Sequence, residues 1–230
     1  MPSLLPRIEI ETASNPRAAV IWLHGLGADG HDFAPLVDEL DLTGCPPIRF
    51  IFPHAPAMPV TLNGGYVMPA WYDIRGTALV RDEDRAGIEA SATAIEALIT
   101  NEVQRGLAPG AIVLAGFSQG CAMALHIGLR HPVPLAAVIA LSGYLPLADT
   151  LAAQRSAANQ STPIFMAHGD DDAVVPLGRA TASKQVLSEL GYQIEWHRYP
   201  MGHSVHPREV TDIAQFLRTV LGCGEGAPRS

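Results

Sequence analysis

Residues 111–125 read AIVLAGFSQGCAMAL, and this stretch combines three patterns that together indicate the fold. An apolar, partly β-branched run predicts a buried strand, and the Ala-rich run after it predicts a helix. Between the two lies a Gly-x-Ser-x-Gly motif, formed by Gly116, Ser118 and Gly120. In the context of strand, sharp turn and helix, this motif predicts a nucleophile elbow, which holds a serine hydroxyl clear of the sheet. We therefore predict that Ser118 is a catalytic nucleophile.

Outward from this stretch, the chain alternates between apolar runs and amphipathic helical patterns. Runs such as 18–23 and 164–167 predict strands buried on both faces, and apolar residues at helical spacing predict a long helix within 83–105. This alternation predicts an α/β fold, in which a mostly parallel, doubly wound sheet carries helices on both faces. Because no repeat or linker is visible, we predict a single domain over residues 1–221 and a flexible tail over residues 222–230.

Residues 53–82 form the irregular part of the chain. Pro53, Pro56, Pro59 and Pro69 exclude a continuous helix from this segment. The dipeptide Gly64-Gly65, preceded by asparagine and flanked by apolar residues, predicts a small hairpin. A segment of this length inside a compact domain is usually functional or disordered, and its aromatic content favours an ordered cover. We predict a lid-like insertion beside the site.

Composition and charge exclude several classes of protein. The chain has 230 residues, of which 48% are hydrophobic, and its net charge of −8 makes nucleic acid and anionic membranes poor partners. The three cysteines are widely spaced and form no Cys-x-x-Cys pair, which indicates a reducing compartment without a zinc or disulfide framework. The first residues show no signal-peptide pattern and no apolar run is long enough to span a bilayer. We therefore expect a cytoplasmic protein with no stable membrane insertion.

A serine nucleophile needs a base within hydrogen-bond reach and a carboxylate that orients this base. In a sheet of this type, active groups collect in the loops that follow the strands, in the order serine, acid, histidine. His203 follows the last predicted strand and is the predicted base. Three adjacent aspartates, Asp170 to Asp172, follow an earlier strand, and of these we favour Asp172 with Asp170 second.

The same mechanism needs two backbone N–H groups that stabilise an oxyanion. The Gln119 N–H, at the start of the predicted helix, is one candidate, and the Leu26 N–H in the glycine-rich loop after residues 18–23 is the other. Residues 25–30 also have the Gly-x-Gly-x-x-Gly spacing of a dinucleotide site, but the elbow elsewhere favours the hydrolase interpretation. No metal-ligand motif is present, so we expect no metal and no cofactor.

Taken together, these motifs resemble the carboxylesterase and acyl-protein thioesterase family of serine hydrolases. The resemblance extends over nearly the whole chain, through residues 23–30, 53–56, 70–74, 116–120, 168–176 and 202–204. It implies the α/β-hydrolase fold, catalysis by Ser118, Asp172 and His203, and an oxyanion hole formed by the backbones of Leu26 and Gln119. It also implies that the region around Trp71 forms part of an acyl-binding wall and that homodimers are common.

The resemblance leaves the substrate open. We expect cleavage of carboxylic esters or thioesters of a small molecule, a lipid or an acylated protein, and long-chain thioesterase or lysophospholipase activity is the alternative. A non-catalytic receptor on a hydrolase fold is the rival from another class, and a peptidase or carbon–carbon hydrolase is a further one. Candidate substrate-binding residues are apolar ones near the predicted site: Leu62, Met68, Trp71, Val175 and Met201.

Overall fold

The computed structural model describes residues 4–76 and 82–224, and its central feature is a seven-stranded sheet. In chain order the strands are β1 (Arg7–Glu11), β2 (Ala18–Leu23), β3 (Ile48–Pro53), β4 (Ala57–Val60), β5 (Tyr66–Pro69), β6 (Ile74–Arg75), β7 (Asp82–Glu83), β8 (Ile112–Phe117), β9 (Ala137–Leu141), β10 (Ile164–Gly169) and β11 (Ile194–Tyr199). The sheet has the order β1-β3-β2-β8-β9-β10-β11, and all neighbours are parallel except β1 and β3. The predicted mostly parallel sheet is confirmed.

Helices cover both faces of this sheet, as predicted. They are α1 (Arg85–Gln104), α2 (Gln119–Gly128), α3 (Ala148–Gln154), α4 (Leu177–Glu189) and α5 (Pro207–Val220). Successive strand residues point to opposite faces, so Ile21 packs in the core that contains residues of α1 and α2. Trp22 packs in the opposite core, with residues of α5 and of the 3₁₀ helix Ala34–Glu39. Because the strands from β2 to β11 in this sheet are parallel, their carboxyl ends lie at one edge of the sheet, where the loops that lead to the helices begin.

The predicted insertion is largely ordered. β4 and β5 pair antiparallel as a hairpin, and Gly64 and Gly65 adopt the positive φ angles that its turn requires (66° and 80°). β6 and β7 form a second short pair, and residues 77–81 between them lie outside the described part of the chain. The hairpin (residues 57–69) thus occurs where the Asn-Gly-Gly pattern predicted it.

The cysteine prediction is wrong. Cys45 and Cys223 form a disulfide across a sequence separation of 178 residues, and only Cys121 is a free cysteine. Spacing along the sequence could not reveal this pair, because the end of α5 returns to the loop before β3. The Arg218 guanidinium, which donates to the Thr43 carbonyl oxygen, joins the same two segments.

The disulfide also changes the predicted boundary of the tail. Cys223 is held by its sulfur and by a backbone hydrogen bond from its N–H to Arg218 O (2.9 Å), so a flexible tail does not begin at residue 222. Residues 225–230, the remainder of the predicted tail, lie outside the described residues. Within the described ranges, we find no helix that is both long enough and apolar enough to cross a bilayer.

Candidate active site

The turn between β8 and α2 has the geometry of a nucleophile elbow. Ser118 occupies it with φ 55° and ψ −114°, a region that residues with a side chain rarely adopt. A Cβ on Gly116 would overlap the Gly120 carbonyl, and a Cβ on Gly120 would overlap the Leu23 carbonyl. The two motif glycines are therefore required because backbone segments touch there, and this close packing holds the Ser118 side chain at the edge of the sheet.

Three side chains from separate loops meet at this edge. His203, between β11 and α5, lies with its Nε2 2.9 Å from Ser118 Oγ and its Nδ1 2.7 Å from Asp172 Oδ2. The arrangement fits the imidazole tautomer in which Nδ1–H donates to the carboxylate and Nε2 accepts from the serine hydroxyl. The structure thus brings together the three predicted residues in the order that an activated serine requires.

The geometry also distinguishes between the adjacent aspartates. The side chain of Asp172 is fully buried, and its Oδ1 accepts hydrogen bonds from the N–H groups of Val174 (2.9 Å) and Val175 (2.8 Å). Asp170, the second candidate, instead pairs with Arg198 at the surface (2.6 Å). Only Asp172 faces the imidazole, and its two backbone donors leave Oδ2 available to accept from His203.

His168 is a residue near the site to which the sequence assigned no role. Its Nε2–H donates to the Val175 carbonyl (2.7 Å) and lies 3.4 Å from Asp172 Oδ2. Burial lowers the pKa of this imidazole, so the neutral form is favoured. The neutral His168 side chain thus holds the loop that carries Asp172, and it adds no second positive charge that would pair with the carboxylate in place of His203.

The loop after β2 and the start of α2 lie against each other. A Cβ on Gly25 would lie 3.4 Å from Ser118 Cβ, so this loop reaches the elbow directly. Within the described residues, neither the Leu26 N–H nor the Gln119 N–H donates a hydrogen bond to another protein group. The first N–H groups of a helix are unpaired and carry partial positive charge. Both predicted donors are thus available to an oxyanion, and their role remains a prediction.

Part of the insertion supports these loops. Buried Gln119 accepts from the Trp71 N–H (2.8 Å) and donates to the Tyr72 carbonyl (2.7 Å). The Trp71 indole N–H donates to His24 O (2.9 Å), and His24 Nε2 accepts from the Ala55 N–H (3.0 Å). Because each of these buried polar groups has a partner, the network holds the two candidate donor loops in fixed positions.

The candidate substrate-binding residues lie in two environments. Leu62 is 57% exposed on the hairpin, and Met68 is half-buried there, near Gly27. Trp71, Val175 and Met201 are buried, and so offer a substrate little surface. A substrate-binding role for these five residues stays a prediction.

One group of side chains outside these loops has the composition of a metal site. Ligand atoms of Asp29, His31 and His54 lie within 4.8 Å of one another. One polar atom of each side chain already has a protein partner, since His31 Nδ1 lies 2.9 Å from Asp29 Oδ1 and His54 Nδ1 accepts from the Gly30 N–H (3.1 Å). We therefore assign no metal to these residues.

Comparison with known proteins agrees with this geometry. The sequence model of the phospholipase/carboxylesterase family matches residues 6–221. Acyl-protein thioesterase 1 of Neurospora crassa is 42% identical, over 94% of this chain and 90% of its own, and acyl-protein thioesterase 1 of Gibberella zeae is 40% identical, over 91% and 93%.

Solved structures of related proteins have the same fold as this chain. The crystal structure of Arabidopsis thaliana SOBER1 superposes with a TM-score of 0.84 at 30% identity, covering 89% of this chain and 99% of that one. The crystal structure of Zea mays acyl-protein thioesterase 2 superposes with a TM-score of 0.84 at 28% identity, covering 94% and 99%. The chain belongs to the phospholipase/carboxylesterase family of α/β-hydrolases.

Proposed function

We propose that this protein is a serine hydrolase that cleaves carboxylic esters and thioesters of acyl substrates through an acyl-enzyme. The observation that carries the proposal is the continuous hydrogen-bond chain from Ser118 Oγ through His203 to buried Asp172, with distances of 2.9 and 2.7 Å. Relatives named acyl-protein thioesterases, 42% and 40% identical, support the same chemistry.

The mechanism has two halves. Ser118 Oγ attacks the carbonyl carbon while His203 Nε2 takes the hydroxyl proton, and the N–H groups of Leu26 and Gln119 stabilise the oxyanion. When the tetrahedral intermediate collapses, the bond to the leaving oxygen or sulfur breaks and His203 returns the proton to that atom. A water molecule then gives a proton to His203 and attacks the acyl-enzyme. As the bond between the acyl carbon and Ser118 Oγ breaks, His203 returns this proton to Oγ, which releases the acid and restores Ser118.

A long acyl chain is the second candidate within this function. The hairpin exposes three large apolar side chains, Leu62 at 57%, Tyr66 at 70% and Val67 at 59%. Exposed apolar surface of this kind beside a site favours an apolar ligand. We therefore expect p-nitrophenyl esters from C2 to C16 to show sustained turnover at long chain lengths, whereas a maximum at C2 to C4 would favour a short-chain carboxylesterase.

The test of the chemistry is the nucleophile itself. We expect a fluorophosphonate probe to label Ser118, and Ser118→Ala to lose both the labelling and at least about 10³-fold in kcat, because the members of such a site act as a unit. Ser142→Ala is the matched control, since Ser142 is a buried serine at the end of β9. Labelling without turnover of any ester would favour a peptidase or a carbon–carbon hydrolase, and absence of both would favour a non-catalytic receptor.

The remaining expectations extend this proposal. We retain a single domain, a homodimer, and catalysis without metal or cofactor; size-exclusion chromatography with light scattering tests the dimer. The proposed cytoplasmic location conflicts with a stable Cys45–Cys223 disulfide, since that compartment keeps thiols reduced. Counting free thiols in protein alkylated inside cells decides the point, because a cytoplasmic protein would have three and the oxidised one would have one.

A further inference from the structure

A cleft of about 470 Å³ opens beside His203, between the 3₁₀ helix Ala34–Glu39 and the start of α5. Small-molecule sites have volumes of roughly 300–1,000 Å³, so this cleft can hold part of a substrate. Its floor includes Phe117, whose ring lies 4.7 Å from the His203 ring and 5.5 Å from the Phe33 ring. The cleft therefore borders the imidazole, and no hairpin residue is among those that line it.

The position of the imidazole indicates which half of a substrate the cleft receives. In acyl transfer, the leaving atom takes its proton from the base, so the leaving group must lie on the side of His203. The Leu26 loop instead carries the candidate oxyanion donor, and Met68 of the hairpin lies near Gly27 of this loop. The leaving alcohol or thiol, rather than the acyl chain, thus faces the cleft.

The acidic and basic side chains that line the cleft have one sign. Residues 18–48 contain five carboxylates and no Lys or Arg. Two of these carboxylates, Asp32 and Glu39, line the cleft, and no Lys or Arg lines it. Among the described residues, neither carboxylate takes part in an ion pair. The remaining lining is mainly apolar, including Leu36, Val205 and Val210.

We propose that this cleft binds the leaving group and selects small alcohols or thiols that carry an ammonium group, with Asp32 and Glu39 as the specificity determinants. The inference rests on the proposed function, because it assigns the second half of the same substrate. The apolar floor accommodates the methylene or methyl groups of such a leaving group, and the two carboxylates attract its charge. The same two carboxylates repel an anionic leaving group of the same size.

The test compares two thioesters that differ only in charge. Butyrylthiocholine and its uncharged isostere, S-(3,3-dimethylbutyl) thiobutyrate, share the acyl group and the shape of the leaving thiol. Two carboxylates that lie several ångströms from a bound ammonium group, in a mostly solvated site, give a preference for the cationic compound of about three- to tenfold. We expect kcat/KM to favour the cationic thioester by this factor at low ionic strength, and the ratio to approach one at 1 M salt.

Variants connect the preference to the two carboxylates. The double variant Asp32→Asn with Glu39→Gln removes both charges from exposed positions, so the fold is retained. It is expected to bring the ratio near one while changing the neutral thioester less than twofold. Asp38→Asn is the matched control, since Asp38 is exposed on the same 3₁₀ helix and does not line the cleft. An unchanged ratio in the double variant, or a wild-type ratio of one, overturns the inference.

A binding measurement separates this inference from the proposed function. If wild-type protein hydrolyses neither these thioesters nor any of the p-nitrophenyl esters, the proposed function fails. NMR titration of Ser118→Ala protein with the same pair still measures whether the cleft prefers the charged compound. A preference that disappears in the double variant would keep the cleft as a cation-selective site, and equal affinities would remove it.

Discussion

The two halves of the insertion differ in how they meet the rest of the molecule. In one half, Trp71 and Tyr72 are buried and joined to Gln119 by hydrogen bonds of 2.8 and 2.7 Å. In the other half, the hairpin exposes Leu62 and Tyr66. Buried polar contacts of the first kind fix the geometry of reacting groups, whereas exposed apolar surface of the second kind contacts ligands. We therefore expect changes in buried supports to alter kcat or stability, and changes in the hairpin to alter selectivity.

The largest effect is expected at Asp172, whose side chain is fully buried. Asp172→Asn keeps the shape of the side chain but removes the charge that stabilises the imidazolium and favours the productive tautomer of His203. We expect kcat to fall by about 10³- to 10⁴-fold, with KM changing less than about threefold. Steady-state kinetics with a p-nitrophenyl ester measures both constants.

Asp170→Asn is the control for this change, because Asp170 pairs with Arg198 at the surface. We expect it to keep kcat within about twofold, as exposed ion pairs contribute little. Comparable losses in the two variants would contradict the assignment of the acid to Asp172.

The next effect is expected at Gln119, which joins the insertion to the elbow. Gln119→Ala leaves the Trp71 N–H and the Tyr72 carbonyl without their partner, and each unsatisfied buried group costs about 1–3 kcal/mol. We expect a loss of about 2–4 kcal/mol in the free energy of unfolding and a kcat roughly 10-fold lower, since the oxyanion loop loses its support. Urea unfolding and steady-state kinetics measure these effects.

Gln185→Ala is the matched control, because Gln185 is an exposed glutamine on α4 whose amide donates to Glu189 (2.9 Å). We expect no more than about 0.5 kcal/mol from it. A Gln119→Ala protein with normal stability and kcat would show that the buried half of the insertion is a passive cover.

How far the sequence predicts this site depends on the range of each interaction. Ser118 and His203 could be located because local motifs place them after predicted strands. The hairpin could be located because its turn requires positive φ angles, which Gly64 and Gly65 adopt. The choice of Asp172 over Asp170 depends on which carboxylate the loop turns inward. A run of three aspartates does not contain that information, and the prediction of Asp172 came from the family resemblance. The Cys45–Cys223 pair and the contacts of Gln119 depend on distant segments packing together, for which a single sequence has no periodic signal.

A smaller effect, on stability, is expected at Glu209, another buried support beside the site. Glu209 Oε2 accepts from the His206 N–H (3.1 Å) at the start of α5, while Oε1 has no hydrogen-bond partner among the described residues. Burial raises the pKa of this carboxyl to about 7, from an ordinary value of 4.5. Because the folded state holds this proton more tightly than the unfolded state, its contribution to stability is complete below pH 4.5 and is lost as the pH rises through 7.

Glu209→Gln removes this titration. We expect the difference in unfolding free energy between pH 5 and pH 8 to change by about 1–3 kcal/mol relative to wild type, in the direction of a smaller loss at high pH. Chemical denaturation at the two pH values measures it, and Glu189→Gln, an exposed change of the same type on α4, is the control. Parallel pH profiles for wild type and Glu209→Gln would show that this carboxyl does not titrate over the range.

The smallest effect is expected in the exposed half of the insertion, where it also distinguishes a ligand surface from a simple cover. Leu62→Ser and Val67→Ser remove apolar side chains that are 57% and 59% exposed, so stability is expected to stay within about 0.5 kcal/mol. If a long acyl chain contacts these side chains, each change lowers kcat/KM for C12 to C16 esters by about three- to tenfold, since the lost contact is worth about one to two buried methylene groups. C4 esters, which have a much shorter chain, are expected to keep their rate. Val103→Ser, a change of the same type at a 38% exposed position on α1, leaves both substrates unaffected. Equal losses for short and long esters would contradict a chain-binding hairpin and assign it instead to the support of the catalytic loops.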